Sequence, residues 1–184
     1  EDAFVQGKLT QLIVDVTDAL ERHKFNDAAN ALYRFTWDEF CDWYVELSKR
    51  SLNAAVLVRT LDTALRLLHP FMPYVTEELW QKLKEVAGSS EFRVPSFESA
   101  ALILAPFPTV DQSAIGNGQS AIDDMSSLQD VIRAIRNARA EHKVDLTKRI
   151  PALLQGGART AMLNDNRAAI ESLARVDGLT IAEA

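Results

Sequence analysis

The chain has 184 residues, 47% of them hydrophobic and 25% charged, with a net charge of −6. That is ordinary for a soluble globular protein and enough to bury the core of one large domain or two small ones. No apolar run approaches the ~18 residues a membrane helix needs, and no charged-then-apolar leader opens the chain. The one cysteine, Cys41, has no internal disulfide partner, which fits a reducing compartment. The net acidity speaks against a generic nucleic-acid binder, although a local basic face matters more than the sum.

A first helix is predicted from about Asp2 or Ala3 to Arg22. Leu9, Leu12, Ile13, Val16 and Leu20 recur at steps of three and four. Its start carries no persuasive cap and reads as a boundary inside a larger protein. His23 and Lys24 follow where positive charge suits a helix end, and His23 reads as a surface residue. Asn26 is the expected cap of a second helix that runs to about Lys49. Leu32, Phe35 or Thr36, Phe40, Trp43 or Tyr44, and Leu47 line its buried side. Cys41, next to Phe40, reads as an inert core thiol.

A third helix is expected from about Asn53 to His69, with Ala54, Leu57, Leu61, Leu65 and Leu68 in period and Arg59 and Arg66 on one face. Pro70 ends or kinks it, and His69 reads as a cap at that end. Pro73 is placed at the first turn of a fourth helix to Val86 or Ala87. There Val75, Leu79, Trp80 and Leu83 should point inward, and Glu77 and Glu78 suit the positive end. Gly88 is the expected stop.

The pattern changes after that glycine. Residues 89–120 hold Pro95, Pro106 and Pro108 and no helical period. Ala100 to Leu104 reads as a strand or an extended arm, and Thr109 to Ser120 as a mobile loop. Residues 121–184 form a separate unit. A helix runs from Ala121 or Ile122 to about His142, with Leu128, Ile132, Ile135 and Ala138 inward. A strand follows at Arg149 to Leu154, held near an edge by Pro151. Then come a turn at Gly156-Gly157, a helix from Thr160 to Arg175 and a strand at Leu179 to Ala182. The fold class is mainly α: residues 1–88 as an antiparallel helical bundle, 89–120 as an extended arm and loop linker, and 121–184 as a small α/β appendage.

No phosphate loop, zinc-like ligand set or nucleophile beside a base appears. Asp123-Asp124 and Glu77-Glu78 are adjacent acids at helix starts rather than carboxylates converging on one centre. The expected site is therefore non-catalytic and metal-free.

Six aromatic residues crowd one stretch: Tyr33, Phe35, Trp37, Phe40, Trp43 and Tyr44. The run Phe25-Asn26-Asp27-Ala28-Ala29, then Leu32-Tyr33, Phe35, Trp37, Phe40-Cys41-Asp42-Trp43-Tyr44, Glu46 and Lys49 resembles the anticodon-binding helical domain of valyl-tRNA synthetases. So does Leu67-Leu68-His69-Pro70-Phe71-Met72-Pro73 with Thr76-Glu77-Glu78-Leu79-Trp80. The second set is shared with isoleucyl- and leucyl-type relatives; the Cys-Asp-Trp-Tyr run favours the valyl branch. The resemblance is strong over Phe25 to Leu83 and looser over Asp130 to Ile181.

The resemblance implies a class I synthetase that joins valine to its tRNA using ATP and Mg and hydrolyses mischarged threonine elsewhere in the protein. The family's two ATP-binding signatures, His-Ile-Gly-His and Lys-Met-Ser-Lys-Ser, are absent from this sequence, so no cofactor is expected here. An upstream helix and a C-terminal coiled-coil arm of the family are also missing. The implied partners are the valine anticodon stem-loop, with its middle A and following C, and the rest of the synthetase. The piece itself should be monomeric and cytoplasmic, or organellar if a transit peptide directs the parent.

Anticodon bases are held by stacking and edge contacts. Trp43 with Glu46, Lys49 and Arg50 is the candidate surface: Glu46 accepts from a base, and the cations hold phosphate. The plain alternative puts Trp43 and Tyr44 in the core and pairs Glu46 with Arg50. Arg133, Arg136, Arg139 and Lys143, at steps of three and four, form a second candidate as a basic ridge for phosphate. Its alternative is a solvated face. Two rival functions stand beside this reading: an isoleucyl-type anticodon domain, and a helical protein-interaction scaffold with no RNA role.

Overall fold

The computed structural model describes residues 1–87, 93–110, 118–145 and 147–182. The expected stop at Gly88 and most of the expected loop from Thr109 to Ser120 lie outside the described residues. The chain divides into two units, Glu1–Gln119 and Ser120–Ala184.

In the first unit, α1 (Asp2–Glu21) packs on α2 (Phe25–Arg34) and on α4 (Ala54–Leu68). Between α2 and the short α3 (Glu46–Ser48) the same rod continues as a π-helix, Phe35–Val45. The π turn uses an i→i+5 hydrogen bond and so takes more residues per turn than an α-helix. Its mark is the buried series Ala28, Leu32, Phe35, Phe40, Tyr44, Leu47, which takes a five-residue step at Phe35→Phe40. Phe35, Phe40 and Tyr44 stack in sequence, with ring centroids 6.4 and 5.8 Å apart. The wider turn rotates Cys41 outward, so this thiol is exposed rather than in the core. Burial of its surroundings and the adjacent Asp42 charge both push the Cys41 thiol pKa up. Asn26 is not a cap: it lies inside α2, whose N-cap is Lys24, two residues earlier, with no side-chain cap bond.

Asn53 does cap α4, its Oδ1 accepting from Val56 N at 3.3 Å. α4 is buried on more than its apolar stripe because α1 lies on one side and α5 (Pro73–Ala87) on another. The expected stripe of Leu57, Leu61 and Leu68 is only half-buried, whereas Val56, Val58, Thr60, Asp62, Ala64, Leu65 and Leu67 are buried. On α5, Trp80 is fully buried, but Val75 and Leu79 are exposed, contrary to the sequence reading. A single wide contact with α4 and the following segment fixes this helix through Thr76, Trp80 and Ala87. His69 bridges the proline joint, its Nδ1 lying 2.8 Å from Thr76 Oγ1.

The segment after α5 contains no strand among the described residues. It makes two 3-10 turns, Pro95–Glu98 and Leu102–Leu104, where Ala100 to Leu104 was expected to be extended. Its anchor is a buried carboxylate. Asp62 accepts from Trp80 Nε1 (2.8 Å), Ser96 Oγ (2.6 Å) and Arg66 Nε (3.0 Å), and Arg66 also donates to the Pro106 carbonyl (2.9 Å). Glu77 accepts from Leu102 N at 2.8 Å. Leu102 then closes over Leu65 and Trp80. Every polar atom in this joint has a partner, which is the condition for burying a charge at low cost. Gly118, at φ +91, lies against α1: a Cβ there would stand 3.1 Å from the Ala3 carbonyl.

In the second unit, Met125, Leu128 and Ile132 of α6 (Gln119–Glu141) are buried, as are Leu163, Ile170, Val176 and Leu179. Strand β1 (Ile150–Gln155) runs parallel to β2 (Val176–Ala182). The crossover between them contains a 3-10 turn, Gly157–Arg159, then α7 (Thr160–Asp165) and α8 (Arg167–Ala174). One expected helix is thus broken in two at Asn166. Asp177-Gly178, expected to precede the last strand, lies inside it. Ile150 pairs with Val176 and Ala152 with Leu179, so β2 carries one extra residue at that point. The bulge falls opposite Pro151, which has no N–H for the ladder, and Gly178 takes φ +80 there.

Candidate nucleic-acid interface

The rod from Phe25 to Ser48 ends in a polar turn. Glu46 and Lys49 form an ion pair across one turn, Oε1 to Nζ 2.5 Å, with their side chains 43% and 62% exposed. Arg50 is exposed beside them. Glu46 therefore pairs with Lys49, not with Arg50. Trp43 is 5% exposed, so it cannot serve as a stacking platform; it belongs to the core. Tyr44 is fully buried as well.

The backbone under this turn is held from three directions. Asp2 at the start of α1 accepts from Tyr44 Oη (3.2 Å) and from Asn53 Nδ2 (2.8 Å), and Asn53 in turn caps α4. Burial, the Asp2 charge and hydrogen bond, and Glu1 together push the Tyr44 phenol pKa well above its ordinary value. An open hollow of about 760 Å³ lies between the start of α1 and the segment Ser51 to Ala55. Leu52, 60% exposed, offers an apolar wall there. Two cations and one carboxylate on an exposed turn thus lead in the chain into a hollow lined by Glu1, Asp2, Ala3 and Ser51 to Ala55, with Leu52 as its apolar wall. Such a set can hold phosphate, accept from a base edge and cover a base face.

The second candidate loses Arg139 as a surface member, while Arg133, Arg136 and Lys143 are exposed. Arg139 is buried, and its guanidinium donates to the carbonyls of Arg175 (3.1 Å), Asp145 (3.1 Å) and Lys148 (2.7 Å). Arg136 donates twice to the Leu173 carbonyl, at 3.0 and 2.9 Å. Both arginines thereby satisfy carbonyls at the C-terminal end of α8, which carries no internal partner for them. Arg133 lies 3.7 Å from Asp130. Lys143 is exposed, as Arg133 and Arg136 are. Periodicity placed these side chains on one helix face; it could not show what packs on that face.

Sequence reasoning missed the Asp62 joint. A signal existed, since an aspartate stood inside an apolar helical stripe between Leu61 and Leu65. It also missed the outward aromatics Tyr33 and Trp37, 63% and 57% exposed.

The comparisons with known proteins bear on what this turn serves. The family described as the anticodon-binding domain of tRNA ligase matches residues 2–154. The chain belongs to that family. It is 35% identical to a valine–tRNA ligase of Dehalococcoides mccartyi, over 98% of this chain and 20% of that protein. It is 40% identical to one of Thermotoga maritima, over 84% of this chain and 17% of that protein. It is 43% identical to one of Pseudothermotoga lettingae, over 78% of this chain and 16% of that protein. The chain thus spans about a fifth or less of the length of these relatives. An anticodon-binding assignment agrees with the first reading of the sequence, and no helix among the described residues is long and apolar enough to cross a membrane.

Proposed function

We propose that this domain grips the anticodon stem-loop of valine tRNA on behalf of a longer, cytoplasmic valine–tRNA ligase, which charges that tRNA at the expense of ATP and Mg bound elsewhere in the protein. The observation that carries the reading is the exposed Glu46-Lys49-Arg50 turn, in a chain of the anticodon-binding family whose relatives here are valine–tRNA ligases. Lys49 and Arg50 hold phosphate, Glu46 accepts from a base, and the braced network of Asp2, Tyr44 and Asn53 keeps the turn in place. The domain acts as a monomer within the parent.

A contact far from the reaction has a physical purpose. A hydrophobic pocket separates neighbouring aliphatic side chains by only about 1–3 kcal/mol. Selecting the tRNA by its anticodon adds a check that does not depend on the amino acid. The test is a titration of valine and isoleucine anticodon stem-loops at several salt concentrations. Saturable, salt-sensitive binding that favours the valine stem-loop is expected. Equal binding of both would move the domain to an isoleucyl-type or unselective role, and no binding would leave a protein scaffold.

A further inference from the structure

Arg139 does more than fill a core position. It holds the loop after α6 from two sides: its own carbonyl accepts from Val144 N (2.9 Å), while its guanidinium reaches the carbonyls of Asp145 and Lys148. One residue therefore fixes both limbs of the loop. Lys143, Lys148 and Arg149 stand outward from this anchor, all exposed. Arg149 makes one long contact, 3.4 Å to the Val176 carbonyl. The acids of the neighbourhood are Glu141, Asp145 and Asp177. The exposed Asp145 carboxylate accepts from the N–H (2.7 Å) and hydroxyl (2.5 Å) of Thr147.

Lys143 has φ +51, a left-handed conformation that side chains avoid. In this unit Arg175, at φ +54, shares that conformation with Lys143, and glycine takes it at Gly157 and Gly178. A lysine held here points its charge off the end of α6. The helix dipole alone does not demand it, since a cation anywhere in the last turn complements that dipole without strain.

We propose that Lys143 and Lys148, with Arg149, form a second RNA contact that binds backbone phosphates of the tRNA without regard to sequence. Arg139 is the positioning residue that presents them. The inference rests on the tRNA reading above and extends it to a unit that contributes no base-reading group. Exposed lysines are flexible point charges, suited to phosphate and not to forked recognition of a base. They stand out on a chain of net charge −6.

The test titrates labelled valine-tRNA and isoleucine-tRNA transcripts with the 184-residue chain across a range of KCl, for the unaltered protein and for Lys143→Gly, Lys148→Ala and Arg139→Lys. Lys143→Gly should weaken both tRNAs by the same factor and reduce the slope of log affinity against log salt by about one. Its Tm should stay level or rise, because glycine accepts the left-handed backbone. Arg139→Lys should lose affinity together with Tm. Unchanged affinity and slope in both Lys143→Gly and Lys148→Ala, with valine preference retained, would overturn this inference alone. So would a loss confined to the valine tRNA, which would mean base reading. Absence of tRNA binding by the unaltered chain would overturn the parent reading and this one together.

Discussion

Lys49 and Arg50 at the end of the helical rod and Arg136 and Arg139 on α6 carry the same charge, yet one pair faces solvent and the other is turned into its own unit. The difference lies in what stands opposite. At the rod's end the Leu47 and Ser48 carbonyls accept from Arg50 N and Ser51 N, so the cations are not drawn onto backbone, and Lys49 pairs with the exposed Glu46. Opposite α6, the last carbonyls of α8 and of the loop need donors, and a guanidinium with five N–H groups supplies several at once. A row of arginines at helical spacing is thus a phosphate site or a set of caps depending on its neighbours. Sequence spacing alone does not decide.

That contrast can be broken by mutation, and the Asp62 joint sets the upper end of the scale. Asp62→Ala removes the acceptor from Trp80, Ser96 and Arg66 together, leaving two buried donors unpaired and Arg66 without its counter-charge. We predict a loss of about 3–5 kcal/mol in denaturant unfolding. A loss below about 1 kcal/mol would mean that water reaches the joint. Arg139→Gln should cost about 2–3 kcal/mol, as three carbonyls lose a charged donor. If it costs nothing while tRNA affinity falls, Arg139 faces RNA after all and the contrast fails.

Tyr44→Phe removes one hydrogen bond to Asp2 and should cost about 1 kcal/mol near neutral pH. Its sharper signature is in alkali. The folded-state phenol pKa lies above the ordinary value of 10.0, so the protonated form is the one folding favours. The stability this contributes is fully present below the unfolded pKa and declines as pH rises past it. The unaltered chain should therefore lose stability faster than Tyr44→Phe above pH ~10. Parallel curves would remove the buried bond. Smallest of all, Lys49→Ala breaks only an exposed pair with Glu46 and should change stability by less than about 0.5 kcal/mol. A larger loss would place Lys49 among the structural cations, on the α6 side of the comparison.

The helices were legible in the sequence because their apolar period and their punctuation agree. Pro70, Pro73 and Asn53 mark joints that the structure keeps. Legibility failed where the period itself changes. The π-helix shifts the buried face by one residue, which exposed Cys41 and left both Trp43 and Tyr44 in the core. It failed again where side chains serve distant backbone: nothing local to Arg139 announces the carbonyls of Lys148 and Arg175. The 3-10 turns around Leu102 were read as extended because their apolar run is too short to display a period, and their shape is set by Asp62 and Glu77 on other helices. Of the candidate contacts, Glu46, Lys49, Arg50, Arg133, Arg136 and Lys143 are exposed, and the two buried ones, Trp43 and Arg139, have structural duties.

The central claim is that the rod's end holds the anticodon, and the direct measurement is the affinity of a Lys49→Ala, Arg50→Ala double variant for the valine anticodon stem-loop as a function of salt. The account predicts a fold as stable as the unaltered chain to within about 0.5 kcal/mol, at least tenfold weaker binding at low salt, and a salt slope smaller by about two. Unaltered affinity with an unaltered slope would contradict it.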